Sequence, residues 1–383
     1  MEYQSMSVSQ AFQLIALLSL ITLHLVHGKV NNTHGCYRAI YSFGDSLTDT
    51  GNLLSLISSP ALFAPIKYLP YGETYFQKPT GRSSDGRLLV DFLAEACELP
   101  YLPPSLDKDA NFNSGVNFAV AGATANNASF FVQRDITINI PPWSLDTQIQ
   151  AFKYFKKFYC DRTPDCKDHF ENALFLVGEI GGNDYNYLFL EGSSMEEIKI
   201  FVPFVVQRIR AAIETLIQEN AKKFIVPGNL PIGCSPSYLS LYQSNSSSDF
   251  DSIGCLINFN NFSQYGNNLL QTMLKDVQKQ YPNVSIVYAD YYSAAMEIFK
   301  NPWKYGFQCD ILRVCCGKGG KYNYSPPLSC DLNAALCTNP NQYFHWDGIH
   351  PTEAAYRTIA NMFLHGTFTT PPLHLVDKDV YKF

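Results

Sequence analysis

Five short and almost uninterrupted apolar segments restrict the fold of this chain more than any other feature of its sequence. They are YRAIYSF (37–43), VNFAVA (116–121), ALFLVG (173–178), KFIVPG (223–228) and VSIVYAD (284–290). A strand with one face in water alternates apolar and polar residues, whereas a strand that is covered on both faces is apolar throughout. The five segments are therefore predicted to be the buried strands of a parallel sheet.

Helical patterns separate these segments. Residues 194–220 have the periodicity of an amphipathic helix, with Ser194 as the predicted N-cap and Pro203 as a predicted interruption. Residues 259–281 form a second such pattern, and a last helix is expected after Pro351. Strands that alternate with helices predict an α/β fold, here a doubly wound, parallel, five-stranded sheet flanked by helices. In such a sheet the functional site lies at the carboxyl ends of the strands.

The amino-terminal segment predicts entry into the secretory pathway. Residues 11–26 are nearly all apolar but too few to span a bilayer comfortably, and small residues follow them at a candidate cleavage site. We therefore expect a signal peptide at residues 1–28, with a retained anchor as the alternative, and a single domain at residues 29–383. We expect the protein to be extracellular or vacuolar, since no later apolar run is long enough for a membrane span.

The cysteines and the glycosylation sequons agree with that destination. All eleven cysteines follow the apolar segment, which predicts disulfide bonds and leaves at least one thiol unpaired in the monomer. The pairing does not follow from the spacing. Six Asn-X-Ser/Thr sequons are candidates for N-glycosylation, and they begin at Asn31, Asn127, Asn245, Asn261, Asn283 and Asn323.

Charge and cysteine spacing argue against two classes of function. The 383 residues carry a formal net charge of −6 with acids and bases scattered, and no basic run suggests a nucleic-acid partner. No paired CxxC knuckles occur, and histidine is sparse near the cysteine cluster, so we expect neither a metal site nor another cofactor. We expect the protein to be a monomer.

Four polar motifs fall where the predicted fold places a functional site. GDS (44–46), AGA (121–123) and GGND (181–184) close or follow the first three apolar segments, and WDGIHPT (346–352) precedes the last helix. Taken singly, each motif is typical of an ordinary turn. Their joint occurrence at strand ends favours a catalytic site instead.

One histidine is placed to serve Ser46 as a base. A serine needs an adjacent base before it can act as a nucleophile, and histidine is the usual base near neutral pH. Of the eight histidines, only His350 has an aspartate three residues before it, at Asp347. This spacing can return the carboxylate to the imidazole of the same turn and fix its orientation. Ser46, His350 and Asp347 are therefore the candidate catalytic residues.

The same motifs resemble those of the plant GDSL esterase/lipase family, of the SGNH-hydrolase superfamily. FGDSLTDTGN (43–52) is similar to the nucleophile block of that family, and GVNFAVAGA (115–123), EIGGNDY (179–185) and WDGIHPTEAA (346–355) are similar to its later blocks. The resemblance extends in order along essentially the whole chain after residue 28. It implies the flavodoxin-like three-layer sandwich of that superfamily and the activity of an ester hydrolase.

The resemblance also implies a role for each matched residue. Ser46 would be the nucleophile, His350 the general base and then the general acid, and Asp347 the residue that orients the imidazole. Acyl transfer develops a negative oxygen, which preorganised donors stabilise. Three such donors would form the oxyanion hole: the backbone N–H groups of Ser46 and Gly122 and the side-chain amide of Asn183. Gly115 is a second, lower-ranked candidate for the glycine donor.

The expected function is therefore a secreted serine hydrolase that cleaves a small-molecule carboxylic ester through an acyl-enzyme. The segments GVNFAVAGAT (115–124) and YADYY (288–292) resemble the subgroup that contains acetylajmalan esterase and sinapine esterase. That resemblance implies an acetyl or phenolic ester of plant specialised metabolism. The alternatives are an acyltransferase with the same residues, a broader lipase or polymer esterase, and a non-catalytic binding protein on the same fold.

Overall fold

The structure, a computed structural model, describes residues 36–57, 65–136, 140–326, 330–373 and 375. The expected signal peptide at residues 1–28 and the sequon at Asn31 lie outside the described residues. The residues that are described belong to one compact unit that begins at Cys36.

The centre of the fold is a mostly parallel, six-stranded sheet. In chain order, the strands are β1 (Ile40–Phe43), β2 (Gly115–Asn117), β3 (Leu174–Val177), β4 (Lys223–Pro227), β5 (Ser285–Ala289), β6 (Cys316–Gly317), β7 (Ala335–Leu336) and β8 (Thr369–Thr370). The order across the large sheet is β2-β1-β3-β4-β5-β8, and β6 pairs with β7 in a separate ribbon. This order places β1, and the turn that follows it, between β2 and β3.

The five predicted strands are the five parallel strands of this sheet. Both neighbours of β1 start in register with it, because Ile40 pairs with Gly115 on one side and with Leu174 on the other. Every residue of β1 and β3 is buried, as the continuous apolar segments predict. The prediction of five strands was incomplete, since β8 adds a sixth, antiparallel to β5. Two residues are too few to show a periodic pattern.

Twelve α-helices are described between and around the strands. They are α1 (Asn52–Leu56), α2 (Leu89–Ala96), α3 (Ala128–Val132), α4 (Leu145–Cys160), α5 (Cys166–Glu171), α6 (Gly182–Leu190), α7 (Met195–Lys199), α8 (Val202–Gln218), α9 (Pro236–Leu241), α10 (Ile257–Gln280), α11 (Tyr291–Lys300) and α12 (Glu353–Leu364). Helix α8 packs against α4 and α10, while α12 packs against α2 and α11. The sheet is therefore flanked by helices, as the α/β prediction requires.

The predicted helix boundaries agree with the structure to within a few residues. Ser194 caps α7 by accepting a hydrogen bond from the Glu197 N–H, and Glu197 bonds back to the Ser194 N–H. Pro203 lies in the first turn of α8, where a missing N–H leaves no helical bond unmade, and the pattern over 194–220 is accordingly two helices. Thr352 caps the last helix, α12.

Four disulfide bonds are formed among the described cysteines. They join Cys160 to Cys166, Cys234 to Cys255, Cys315 to Cys337 and Cys316 to Cys330. Cys36, Cys97 and Cys309 are free thiols, in agreement with the expectation of at least one unpaired cysteine. The last two disulfides secure the ribbon of β6 and β7.

The sequons differ in their exposure. Asn245, Asn261 and Asn283 are exposed. Asn127 is half-buried and caps α3 through its side chain. Asn323 is also half-buried, with its amide donating to the Val314 carbonyl at 3.2 Å. Three sequons are therefore open to a modifying enzyme, and two are engaged in the local structure.

Two further features bear on the expectations about membranes and metals. Within the described ranges, no helix is both long enough and apolar enough to traverse a bilayer. The same residues contain no group of three or more histidine, cysteine, aspartate or glutamate side chains arranged to hold a metal ion.

Candidate active site

Ser46 stands in a tight turn directly after β1. The Asp45 carboxylate accepts a hydrogen bond from the Leu47 N–H at 3.0 Å. The Gln148 amide bonds both the N–H and the carbonyl of Gly44 at 2.8 Å. A Cβ on Gly44 would come within 2.5 Å of a side chain in the same turn, so the turn requires glycine there. The turn is therefore held from both sides, and Ser46 remains half-buried at its tip.

His350 connects Ser46 to Asp347 in a continuous series of hydrogen bonds. Its Nε2 lies 2.8 Å from the Ser46 hydroxyl oxygen. Its Nδ1 lies 2.8 Å from Oδ2 and 3.0 Å from Oδ1 of Asp347. Oδ1 of Asp347 also accepts from the N–H groups of Ile349 and His350 at 2.8 Å each. Because an ionised carboxylate only accepts, Nδ1 carries the proton, and Nε2 is left to accept one from Ser46.

Electrostatics keep this pair in the charge states that proton transfer needs. Burial lowers the pKa of His350, but the Asp347 charge and hydrogen bond outweigh it, so the pKa of His350 is raised. Burial raises the pKa of Asp347, but the interactions with His350 outweigh that effect, so the pKa of Asp347 is lowered. Asp347 is therefore ionised near neutral pH, and His350 is a stronger base than a free imidazole.

Two buried aspartates tie the second and third motifs to the first. Asp49, three residues after Ser46, accepts from the Ala121 N–H at 2.8 Å and from three N–H groups of its own turn. Asp184 accepts from two N–H groups that follow the AGA motif, at 2.7 and 3.0 Å. These bonds hold the segments that carry Gly122 and Asn183 against the segment that carries Ser46.

Each of the three motifs contributes a donor that has no acceptor within the described part of the protein. The N–H groups of Ser46 and Gly122 make no hydrogen bond there. The Asn183 amide donates one N–H to the Ala123 carbonyl at 3.0 Å, and its oxygen accepts from Asn186 at 3.3 Å. The second N–H of Asn183 is therefore unused. Three unused donors are what an oxyanion of a ligand would require.

Gly122 also has the backbone conformation that glycine favours. Its φ is +82°, in the left-handed region, and its carbonyl accepts from the Tyr187 hydroxyl at 2.9 Å. Gly115, the lower-ranked candidate donor, lies elsewhere. It begins β2 opposite Ile40, at the far end of β1 from Ser46, and its N–H donates to the Phe112 carbonyl. A Cβ there would meet the Ile40 carbonyl oxygen at 1.9 Å, so strand packing explains this glycine, and the alternative is wrong.

A cavity of about 80 Å³ lies beside Ser46 and includes Asn183 in its wall. Two buried titratable side chains also line it. Burial lowers the pKa of His345 to about 3, so that imidazole is neutral. Burial raises the pKa of Glu179 well above its ordinary value. No lysine or arginine is among the lining residues, and four aromatic side chains are: Tyr238, Tyr291, Phe299 and Phe344.

Two residues that hold the site lie outside the four motifs. Tyr71 donates to Asp347 Oδ2 at 2.8 Å, although the two residues are 276 positions apart. Gln148, which holds Gly44, lies 104 positions from it. Tyr71 belongs to PYGETYF (70–76), a stretch that also resembles the family, but nothing in the sequence indicates its contact with Asp347. Gln148 belongs to no such stretch.

Known proteins resemble this chain along most of its length. The family model described as GDSL-like Lipase/Acylhydrolase matches residues 40–363. A GDSL esterase/lipase of Arabidopsis thaliana is 45% identical over 361 residues, which are 93% of this chain and 89% of the relative. A second one from the same plant is 46% identical and covers 88% of this chain and 92% of its own. Sinapine esterase of Brassica napus is 43% identical, with coverages of 88% and 87%.

A solved structure, phospholipase A1 from Streptomyces albidoflavus NA297, aligns over 85% of this chain and 97% of its own. Its TM-score of 0.35 and its identity of 13% are too low to bear on fold or function. The fold class rests instead on the sheet order, and the family rests on the match over residues 40–363. This chain belongs to the GDSL-like lipase/acylhydrolase family and is a carboxylic ester hydrolase.

Proposed function

We propose that this chain hydrolyses carboxylic esters through an acyl-enzyme formed on Ser46. The observation that carries the proposal is the 2.8 Å contact between His350 Nε2 and the Ser46 hydroxyl, with Nδ1 held by Asp347. A serine hydroxyl becomes an effective nucleophile when a neutral imidazole accepts its proton. The raised pKa of His350 strengthens it as that acceptor.

The proposed reaction has two stages. His350 takes the Ser46 proton as the serine oxygen attacks the carbonyl carbon, and the carbonyl oxygen becomes an oxyanion. The N–H groups of Ser46 and Gly122 and the Asn183 amide stabilise that oxyanion. The bond to the alcohol then breaks, and His350 gives its proton to the leaving oxygen. In the second stage His350 activates a water molecule, which releases the acid and regenerates Ser46.

We propose as substrate a small ester of plant specialised metabolism that carries an acetyl or a phenolic acyl group. The cavity beside Ser46 supports a small, partly aromatic group without negative charge, since its walls contain four aromatic rings and no lysine or arginine. One relative of this chain, 43% identical, is named sinapine esterase.

We also propose that the protein is secreted and acts as a monomer, either outside the cell or in the vacuole. Four disulfide bonds are typical of an oxidising compartment. Three sequons are exposed, as glycosylation in the secretory pathway requires. Sequencing the amino terminus of the protein from its natural source tests the cleavage, and light scattering tests the monomer.

Labelling with a fluorophosphonate, followed by peptide mass spectrometry, tests the catalytic proposal. We expect one adduct, on the peptide that contains Ser46, and none in Ser46→Ala. Hydrolysis of 4-nitrophenyl acetate should be lost in the same variant. Ser55→Ala is a matched control, because this exposed serine bonds only the Gly51 carbonyl.

Two outcomes would redirect the proposal. If an added alcohol captures the acyl group in preference to water, the protein is an acyltransferase that uses the same residues. If the folded protein shows neither an adduct nor ester turnover, the catalytic proposal is wrong, and a binding function on the same fold replaces it.

A further inference from the structure

The carboxylate of Asp347 is held by one side chain from outside its own loop. The Tyr71 hydroxyl donates to Oδ2 at 2.8 Å, and Tyr71 is only 5% exposed. The other donors to Asp347 are His350 and two backbone N–H groups of the loop. Among the described residues, Tyr71 is therefore the only side chain other than His350 that can fix the plane of this carboxylate.

The tyrosine is itself held rigidly. Its ring meets the Trp346 ring edge to face, with 5.8 Å between the centroids. Both rings belong to a small buried cluster that also contains Ile66 and three disulfide-bonded cysteines: Cys315, Cys316 and Cys330. The N–H groups of the first two cysteines donate to the backbone carbonyls immediately before Asp347, at 2.9 and 2.8 Å. The donor and the acceptor are thus fixed by one cluster.

The hydroxyl is also in the form that donates. Burial, reinforced by the adjacent Asp347 charge, raises the pKa of Tyr71 well above its ordinary value. The phenol therefore stays protonated at any pH at which an esterase is assayed. In the described part of the chain, no lysine or arginine forms an ion pair with Asp347. The Tyr71 hydroxyl therefore takes the place of a cation in stabilising the buried charge of this carboxylate.

We propose that Tyr71 is a positioning residue for the ester hydrolysis proposed above, acting on His350 through Asp347. Tyr71 and His350 Nδ1 donate to the same oxygen, Oδ2, so the two hydrogen bonds share its lone pairs. The tyrosine fixes the orientation of the carboxylate beside the imidazole, and it disperses part of the charge that would otherwise stabilise the imidazolium. The inference rests on the proposed function, because the charge on Asp347 affects the rate only in a reaction that protonates His350.

Tyr71→Phe keeps the ring against Trp346 and removes only the donor. We expect kcat for 4-nitrophenyl acetate to fall about tenfold, because the lost orientation of the carboxylate outweighs the stronger stabilisation of the imidazolium. KM should change little, since the ring of residue 71 stays in place. We also expect the acid limb of kcat/KM to move up by about half a pH unit, because an undispersed Asp347 charge stabilises imidazolium more strongly. Asp45, the other acid whose charge raises the pKa of His350, is the same in wild type and variant. A tyrosine that merely fills space would move neither quantity.

Two further variants complete the test: one should shift the acid limb in the opposite direction, and the other is a control. 3-Fluorotyrosine at position 71 is a stronger donor of the same shape, so the acid limb should move down. Tyr288→Phe removes another buried tyrosine hydroxyl, on β5 and outside the lining of the cavity beside Ser46, and should leave the pH profile unchanged. A Tyr71→Phe profile that superimposes on that of wild type would overturn the inference.

The test stays separate from that of the esterase itself. Loss of turnover in Ser46→Ala tests the proposed function and says nothing about Tyr71. If no ester is hydrolysed, the His350 titration can be followed by NMR of labelled imidazole in wild type and Tyr71→Phe. An upward shift of the His350 pKa in the variant supports the inference, and an unchanged pKa overturns it.

Discussion

Replacing Asp347 by asparagine should inactivate the enzyme without disturbing its shape, and the hydrogen bonds of Asp347 show why. Oδ1 accepts from two backbone N–H groups at 2.8 Å, and these donors cannot reverse their direction. The asparagine oxygen must therefore take the Oδ1 place, and its NH₂ group must take the Oδ2 place. There it faces His350 Nδ1 and the Tyr71 hydroxyl, which can rotate to accept.

The consequence is a change of tautomer at His350. An NH₂ group that donates to Nδ1 makes Nδ1 an acceptor and leaves the proton on Nε2. An Nε2–H group can only donate to Ser46, so it cannot take the serine proton. The variant also lacks the charge that raises the pKa of His350. In serine proteases the equivalent change lowers kcat by about 10⁴, and we expect a loss of about 10³ to 10⁴, or roughly 4–5.5 kcal/mol of barrier.

Steady-state hydrolysis of 4-nitrophenyl acetate measures this loss, with thermal unfolding as the check that the variant is folded. Asp146→Asn is the matched control, since this half-buried carboxylate pairs with Arg208 at 3.2 Å away from the site. The control should keep the activity of wild type. If Asp347→Asn keeps more than about a tenth of the wild-type kcat, the tautomer argument is wrong.

Three further predictions concern the donor amide, the base and the disulfide ribbon. Asn183→Ala should lower kcat by roughly 10²–10³ with little change in KM, because the proposed role of its free N–H is in the transition state. A rise in KM with kcat unchanged would contradict that role. The raised pKa of His350 means that the base loses its proton only at higher pH, so the acid limb of kcat/KM should lie above about 6.5. An acid limb below that pH would show that the pKa of His350 is not raised. Removing the Cys316–Cys330 bond with serines should lower the free energy of unfolding by roughly 3 kcal/mol, as a urea titration would show, and an unchanged midpoint would count against it.

Local patterns in the sequence were sufficient for the frame of the fold. A strand buried on both faces must be apolar at every position, so the five segments marked the five parallel strands before any contact was known. A helix cap involves residues within one turn, so the sequence was sufficient to predict the cap that Ser194 forms with Glu197. The short strand β8 left no such mark, since its two residues become a strand only by pairing with β5.

In the candidate site, too, contacts within one turn followed from the sequence, whereas contacts between distant residues did not. The D-x-x-H spacing brought Asp347 and His350 together because four consecutive residues can close one turn, and the sequence alone determined that pair. Apolar periodicity and turn chemistry, which depend on neighbours along the chain, also determined the fold class. Tertiary structure decided that Ser46 lies 2.8 Å from an imidazole 304 residues away and that Tyr71 donates to Asp347. It also decided the disulfide pairs and placed Gly115 away from the candidate oxyanion hole. Contacts between distant residues have no period and no fixed spacing, so they follow only from how the chain packs.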